Sequence, residues 1–215
     1  MIVNNFEQIR GMLSFGPGDF YMVQIIKRRR ENPAMPKGSV IIKTFYIESF
    51  EEYDKMTPRI IEICDFDVAR AYIRLNKRNY KSLALKMIKR IADLMTNNNE
   101  HALKNLFDSI AGENHSDPNK KWLVDVDWKE FNVNTIPMLA GGEIIGTSGM
   151  NELVELISDL TEMQGGKKWE PMIITIPTKN GCHIITYPFN MEKFVKKYPK
   201  AMVHKEDATT LMYCP

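Results

Sequence analysis

Two pairs of strand-like segments, one near each end of the sequence, constrain the fold more than any other feature. Residues 19–26 (DFYMVQII) and 40–47 (VIIKTFYI) are rich in β-branched and aromatic side chains, and a loop with two prolines and a glycine separates them. Residues 172–178 and 182–188 form a similar pair around Lys-Asn-Gly. Hairpins of this kind make antiparallel neighbours. The pattern therefore predicts an α+β fold rather than a doubly wound parallel sheet.

The clearest helix is predicted over residues 80–96. Its apolar side chains recur at helical spacing, with lysines and arginines opposite. The apolar set is Leu83, Met87, Ile88, Ile91 and Met95. Other patterns predict a strand over 69–76, a capping box at Ser49 and Glu52, a helix restarting at Thr57-Pro58, helices over 100–111, 151–163 and 191–198 (capped by Asn190), and closing strands in AMVH and ATTLMY.

Composition limits the class of protein. The chain has 215 residues, of which 44% are hydrophobic and 26% charged, as in an ordinary globular protein with one large domain or two small ones. Three cysteines without paired spacing predict neither a disulfide framework nor a zinc site, and they favour a reducing, cytoplasmic setting. The N-terminus does not read as a signal peptide, and no window approaches a membrane span in length, so we expect no membrane partner.

Basic residues are clustered although the net charge is only +2. One block is Lys27, Arg28, Arg29 and Arg30, and a second segment carries Arg70, Arg74, Lys77, Arg78 and Lys81. Such clusters serve either as phosphate contacts or as ordinary solvated faces. Both interpretations stay open from composition alone.

Residues 120–129 (KKWLVDVDWK) place two carboxylates inside an apolar run. On a strand, successive side chains point to opposite faces, so Asp125 and Asp127 share a face with Leu123. Two neighbouring like charges repel unless a positive group lies between them, and hard divalent cations favour oxygen ligands. The alternative is a solvated strand edge whose acids discourage aggregation.

Residues 178–189 (TKNGCHIITYPF) contain a glycine turn followed by a histidine on a new strand. Gly181 permits an unusual backbone conformation or the close approach of a ligand. His183 shares a face with Ile185 and Tyr187, and a histidine in that position is either a ligand-binding group or a satisfied core residue.

The two motifs in this order resemble the archaeo-eukaryotic primase superfamily. That family carries an hDhD motif, here LVDVDW (123–128), and then an s-x-H motif, here NGCHII (180–185). The stretch ARAYIRLNKR, ahead of a basic helix, also looks like its N-terminal module. The resemblance implies one primase-like domain over 1–215, with an antiparallel or mixed sheet related to the RNA-recognition fold and flanked by helices. Modules over 1–112 and 113–215 would pack together within it.

The resemblance also implies roles for individual residues. Asp125 and Asp127 would bind Mg²⁺ or Mn²⁺, and His183 would contact the phosphates of an incoming nucleoside triphosphate as a hydrogen-bond donor. A third metal-binding acid is expected on a later strand, with Asp207 as the first candidate and Glu206 as the second. The remaining candidate contacts are Lys179 and Gly181 near the nucleotide, and Arg74, Lys77 and Arg78 along a single-stranded or primed nucleic acid.

Three functional hypotheses follow. The first is a metal-dependent nucleotidyltransferase of primase–polymerase type, the second is a catalytically silent nucleic-acid-binding protein on the same fold, and the third is an α+β protein whose Asp-x-Asp is only a polar strand face. Only the first requires Asp125, Asp127, His183 and a third carboxylate to converge on one cavity. It fails if Asp125 and His183 point to opposite faces of the sheet.

Overall fold

A computed structural model describes residues 2–36, 38–113, 119–129, 138–140, 143–145, 151–164, 172–205 and 209–215. The strands within these residues are β1 (Val3–Asn4), β2 (Asp19–Arg28), β3 (Ser39–Ile47), β4 (Arg70–Arg74), β5 (Arg78–Asn79), β6 (Trp122–Asp127), β7 (Met138–Ala140), β8 (Glu143–Ile145), β9 (Ile173–Pro177), β10 (Gly181–Thr186), β11 (Met202–His204) and β12 (Thr209–Cys214). The helices are α1 (Phe6–Arg10), α2 (Phe50–Asp67), α3 (Tyr80–Thr96), α4 (Leu106–Glu113), α5 (Asn151–Met163) and α6 (Met191–Lys197), with a 3-10 helix at Glu100–Asn105.

The first sheet has the strand order β1-β12-β4-β2-β3, and β5 pairs with the N-terminal end of β2. Every pairing in it is antiparallel. The hairpin predicted near the N-terminus is confirmed, because β2 and β3 pair from Tyr21–Ile47 to Arg28–Ser39. Its basic tip therefore projects beyond the end of the sheet.

The second sheet has the order β11-β6-β10-β9 and is also antiparallel throughout. The predicted second hairpin is confirmed as β9 and β10. A small separate hairpin joins β7 and β8. The predicted α+β class, with antiparallel sheets flanked by helices, is therefore confirmed.

The last strand corrects the predicted module boundary. Residues 113–215 were expected to form a sheet module of their own, but β12 inserts between β1 and β4 of the first sheet. The chain thus returns from the second sheet to the first. This crossing places the start of β12 beside β10, where it takes part in the site described below.

Three apolar layers hold the sheets and helices together. Val23 and Ile25 of the first sheet pack with Leu123 and Ile185 of the second in one large core, which α1 and α2 complete. The opposite face of the first sheet packs against α3 and α4. The opposite face of the second sheet packs against α5 and α6. Each sheet therefore has one face turned toward the other sheet, as alternation along β2 and β6 requires.

Helix α2 corrects one sequence prediction. Ser49 caps it as expected, since its hydroxyl accepts the backbone N–H of Glu52. The helix then runs unbroken through Pro58, whereas a restart was predicted at Thr57-Pro58. Buried side chains on both sides of the proline, Tyr53 and Ile60, keep one face of the helix on the core. Tertiary packing here outweighs the lost hydrogen bond, which costs about 3 kcal/mol in an isolated helix.

Helix α1 was not predicted from the sequence, and the remaining helices follow the predictions with one exception. Helix α3 has the predicted bounds, and α5 and α6 lie within one residue of theirs. The helix expected over 100–111 is instead a 3-10 turn that leads into α4. Among the described residues, no helix is both long enough and apolar enough to cross a lipid bilayer.

Candidate functional site

The pairing of β6 with β10 brings the two sequence motifs together. In this antiparallel ladder His183 lies opposite Asp125, and Gly181 lies opposite Asp127. These residues share the inward face of the second sheet with Leu123, while Val124 and Val126 pack on the outer face against α5 and α6. Strand β11 flanks β6 on its other side from Leu123 to Asp125, so Asp125 is paired on both sides.

Gly181 is required for this pairing. A Cβ atom at that position would lie 1.9 Å from the backbone oxygen of Val126, which is far inside van der Waals contact. The residue does not have a positive φ angle. Glycine is needed here because two backbones approach closely, and not because the chain makes an unusual turn. The expected unusual backbone conformation at Gly181 is therefore wrong, whereas the close approach of a ligand to Gly181 stays a prediction. Gly181 sets the distance between the strands that carry Asp127 and His183.

His183 is buried and held by the strand that returns from the other sheet. Its Nδ1 accepts the backbone N–H of Leu211 at 3.4 Å, which leaves Nε2 as the protonated nitrogen of the neutral ring. Burial, with a smaller contribution from His204, lowers the pKa of His183 to about 4. The ring is therefore neutral at pH 7. Its Nε2 lies 3.8 Å from Asp125 Oδ1, so the pair is neither a hydrogen bond nor an ion pair at that pH.

The two carboxylates lie on the same face of β6. Asp127 Oδ1 accepts the backbone N–H of Lys129 at 3.0 Å, which fixes the carboxylate at the strand end. The Asp125 side chain is 43% exposed and lies beside His183. The predicted third acids, Asp207 and Glu206, lie outside the described residues. Within the part of the chain that the structure describes, no three His, Cys, Asp or Glu side chains cluster closely enough to hold a metal ion.

These side chains open into a cavity of about 550 Å³ that is lined by residues of both sheets. Its lining includes both aspartates, His183, His204 and four basic side chains, together with polar groups of three strands. The basic lining residues are Arg28, Arg30, Arg70 and Lys179. The volume lies in the range of small-molecule sites in proteins. One cavity therefore combines an acidic wall on β6 with a basic wall from β2, β4 and the β9–β10 turn.

The basic wall comes mainly from residues that were not assigned to the site in advance. The predicted Lys179 and Gly181 do line the cavity, but Arg28, Arg30 and Arg70 were noted only as members of basic clusters. Arg70 is buried and forms an ion pair with Glu31 near the tip of the β2–β3 hairpin. Alternation along β4 could not have found it, because Arg70 shares a strand face with Arg74, which lines a different cavity.

The same hairpin is tied to the body of the protein at three further points. Asn32 Nδ2 donates to the backbone oxygen of Val68 at 3.0 Å, and Lys27 pairs with Asp67 at 3.4 Å. Arg28 donates to the Tyr72 hydroxyl at 3.3 Å. These contacts hold the exposed Arg28 beside the cavity rather than leaving it in a free loop.

The three cations predicted to follow a nucleic-acid backbone lie elsewhere. Arg78 is 1% exposed, and its guanidinium donates to the backbone oxygens of Ala111 and Asn76, so a nucleic-acid contact is corrected to a structural role. Lys77 pairs with Asp19 at 2.6 Å. Arg74 donates to Gln24 and lines a different cavity, between the first sheet and α4. None of the three lines the cavity that holds Asp125 and His183.

Comparison with known proteins leaves this site to be judged on its geometry. No family model matches the chain, and no curated protein or solved structure matches it either.

Proposed function

We propose that the protein is a metal-dependent nucleotidyltransferase of primase–polymerase type, acting on a nucleoside triphosphate and a nucleic-acid strand. The observation that carries the proposal is the convergence of Asp125, Asp127 and His183 on one cavity that also holds four basic side chains. A metal–triphosphate complex presents both kinds of charge at once. A cavity with an acidic wall and a basic wall matches that ligand better than it matches a simple anion or cation.

The donor set suits Mg²⁺ or Mn²⁺. Such cations are usually held by one or two carboxylates, with waters and substrate phosphates completing the shell. Asp125 and Asp127 would supply those carboxylates. When bound, the metal would neutralise phosphate charge and lower the pKa of an attacking hydroxyl.

The protein's own side chains would do the rest. Neutral His183, with Nδ1 occupied by the Leu211 N–H, offers Nε2–H as a hydrogen-bond donor rather than as a base. Arg28, Arg30 and Lys179 would balance the charge of the phosphates, because arginine and lysine both bind phosphate oxygens strongly. Since Arg70 is already engaged by Glu31, its guanidinium would chiefly keep the hairpin tip in place.

The fold is compatible with this proposal at the level of architecture. An antiparallel sheet flanked by helices, with Asp-x-Asp and Gly-x-His on adjacent strands, is what a primase-like domain related to the RNA-recognition fold would have. The three cysteines are buried free thiols, which is compatible with action in the reducing cytoplasm.

Nucleotide incorporation tests the proposal. Purified protein would be incubated with primed and unprimed templates, all four nucleoside triphosphates and Mn²⁺ or Mg²⁺. We expect the native protein to extend or start strands, and Asp125→Asn and Asp127→Asn to lose at least 100-fold of that activity, an order typical of lost electrostatic stabilisation. The control is Asp93→Asn, an exposed acid on α3. Absence of incorporation by the native protein under every condition would overturn the catalytic proposal.

The second candidate is a catalytically silent protein that binds nucleic acid. The exposed hairpin tip favours it, because Arg28 and Arg30 stand beside Tyr72, and basic side chains interleaved with an aromatic ring are typical of single-strand binding. It predicts that Asp125→Asn binds a labelled single strand as tightly as the native protein does. Charge removal at Arg28 and Arg30 would weaken that binding.

A further inference from the structure

Two cavities lie on the same face of the first sheet. One is the cavity that holds Asp125, and we call it the Asp125 cavity. The other is the cavity of about 760 Å³ between the first sheet and α4, and we call it the Arg74 cavity. Tyr72 lines the first and Arg74 lines the second. These residues are two positions apart on β4, so their side chains leave the strand on the same side, about 7 Å apart along it.

Strand pairing makes the two cavities direct neighbours. Gln24, which lines the Arg74 cavity, lies opposite Tyr72, which lines the Asp125 cavity. In the same way, Ile26 of the Asp125 cavity lies opposite Ile41 of the Arg74 cavity. Residues that pair directly across antiparallel strands share a face of the sheet. The two cavities are therefore parts of one groove across β3, β2, β4 and β12, which we call the sheet groove.

The sheet groove has the length of a short piece of nucleic acid. Its lining reaches from Ile41 on β3 to Thr209 and Leu211 on β12. Neighbouring strands lie about 4.8 Å apart, so the path across these four strands covers about 14 Å. With about 3.4 Å for each stacked nucleotide, about four nucleotides fit along it. A single mononucleotide would fill only part of the groove.

Three arginines and one tyrosine give the groove its chemistry. Arg28 of β2 and Arg70, Tyr72 and Arg74 of β4 all line it from the same sheet face. The Arg28 guanidinium donates to the Tyr72 hydroxyl at 3.3 Å, and Arg70 is held by its ion pair with Glu31. A basic groove that also presents an aromatic ring is typical of proteins that bind single-stranded nucleic acid.

The acids of the Arg74 cavity belong to its helix and not to its strands. Asp108 accepts a hydrogen bond from the Tyr46 hydroxyl, and Glu113 accepts one from the Ser109 hydroxyl at 3.1 Å. Both acids are on α4, whereas the arginines are on β2 and β4. A phosphate backbone would therefore follow the strands, where the positive charge is, and avoid α4.

We propose that the sheet groove binds the single-stranded part of the nucleic-acid substrate, with Arg74 on a phosphate and Tyr72 against a base. The strand would run from the Arg74 cavity into the Asp125 cavity. Gln24 would orient Arg74, since its Oε1 accepts the guanidinium at 3.3 Å. This inference rests on the proposed function, because the strand that it places is the substrate of that function.

Fluorescence anisotropy with labelled oligothymidylates tests the groove, because strand binding requires neither metal nor catalysis. The probes are a dinucleotide, a tetranucleotide and a longer strand of about 15 nucleotides, a length within the site sizes of single-strand binding proteins. A groove that holds about four nucleotides should bind the tetranucleotide and the longer strand at least tenfold more tightly than the dinucleotide. Equal binding of all three probes would indicate a small-molecule pocket and overturn the proposal.

Two adjacent positions on β3 supply a matched pair of variants. Ile41 is 53% exposed and lies on the groove face, opposite Ile26. Val40 is 50% exposed and, by alternation, lies on the other face, opposite Lys27. Both substitutions by glutamate add a charge at an exposed site, so both variants should fold. Ile41→Glu should weaken binding of the longer strand at least fivefold at about 0.15 M salt, and Val40→Glu less than twofold.

Substitutions of the groove's own side chains test the individual contacts. Arg74→Met should weaken binding of the longer strand at least threefold and reduce the slope of log affinity against log salt by about 0.7. Tyr72→Leu should weaken it at least fivefold through the lost stacking. The control is Arg59→Met, at an exposed position on α2, which should bind like the native protein. Urea unfolding would establish that each variant is folded.

The results separate this inference from the proposed function. Strand binding that is lost in Ile41→Glu and kept in Val40→Glu supports the groove, even if the native protein binds no nucleoside triphosphate with Mn²⁺ and the proposed function therefore fails. If the native protein binds the triphosphate but Ile41→Glu binds the strand as tightly as Val40→Glu does, only the groove is refuted. Absence of strand binding by the native protein would also overturn the proposal.

Discussion

His183 and Asp125 lie directly opposite each other on two hydrogen-bonded antiparallel strands, with Nε2 of the histidine 3.8 Å from Oδ1 of the aspartate. The histidine is fixed from behind by the N–H of Leu211, which belongs to the other sheet. The pair is therefore positioned by three strands at once. No loop determines the geometry of the pair. Sites built on strands hold a ligand in a more defined place than sites built on loops.

The burial of His183 predicts a pH-dependent stability. Its pKa is about 4 in the folded protein and about 6.5 in the unfolded chain, so the unfolded chain takes up the proton first as pH falls. The folded state should therefore lose up to about 3 kcal/mol of stability between pH 6.5 and 4, and nothing from this group above pH 6.5. Urea unfolding of native protein and His183→Gln at about pH 7 and pH 4 measures the difference.

The comparison between variants isolates this histidine from the other titrating groups. His101→Gln, at an exposed position in the 3-10 helix, should retain the native pH dependence. Between pH 7 and pH 4, the free energy of unfolding of His183→Gln should fall by about 2–3 kcal/mol less than that of the native protein. If His183→Gln and the native protein lose stability in parallel, the histidine is not held neutral.

Gly181 gives a second prediction, about strand pairing. Replacement by alanine puts a Cβ atom against the backbone oxygen of Val126, which cannot move without breaking the β6–β10 ladder. We expect Gly181→Ala to lower the free energy of unfolding by about 3 kcal/mol, near the upper end of overpacking costs. Chemical denaturation measures it. Gly11→Ala, where the nearest atom would be an ordinary 3.6 Å away, should change stability little, and an equally small effect at Gly181 would contradict the backbone geometry.

Replacement of the buried Arg78 should lower the stability of the protein without weakening nucleotide binding. Its buried guanidinium is the donor for two backbone oxygens, and methionine can replace its stem but not its hydrogen bonds. Arg78→Met should therefore cost about 2–4 kcal/mol in unfolding experiments, because Ala111 and Asn76 lose a charged donor. The folded variant should still bind nucleotide like the native protein. A selective loss of nucleotide affinity with unchanged stability would restore the original ligand-contact hypothesis for Arg78.

Replacement of Arg28 should weaken nucleotide binding and leave the stability of the protein almost unchanged. Its side chain is exposed and lines the cavity. Its guanidinium donates a hydrogen bond to the Tyr72 hydroxyl. Arg28→Met should change the free energy of unfolding by less than about 0.5 kcal/mol, as exposed substitutions usually do. It should weaken binding of a nucleoside triphosphate several-fold, with the effect shrinking at high salt. Nucleotide titration at two ionic strengths measures the affinity and its salt dependence. Unaltered affinity at low salt would exclude Arg28 from the site.

The local parts of the fold were predictable from the sequence because their causes are local. Alternation and turn residues defined both hairpins, and the spacing of apolar side chains defined α3 and α5. Pro58 was misjudged because the force that continues α2 through it, the burial of Tyr53 and Ile60, comes from the rest of the molecule. The same holds for β12, whose place in the first sheet depends on partners far away in sequence.

The candidate site was predictable only in part. Asp125, Asp127 and His183 were found because two strands carried motifs of a known kind. The basic side was misassigned, since residues in one cluster have opposite fates: Arg78 is buried by a contact with Ala111, while Arg70 reaches the cavity. No local pattern separates such neighbours. Only the packing of α4 and the hairpin tip distinguishes them.

The most direct test of the proposed site is calorimetric titration of a nucleoside triphosphate with and without Mn²⁺, for the native protein and for Asp125→Asn. Asparagine keeps the size of the side chain and removes its charge. We predict binding by the native protein that depends on Mn²⁺, and at least a tenfold loss in Asp125→Asn, with Asp93→Asn behaving like the native protein. Equal binding by Asp125→Asn and the native protein, or no binding by either, would contradict a metal–nucleotide site at this cavity.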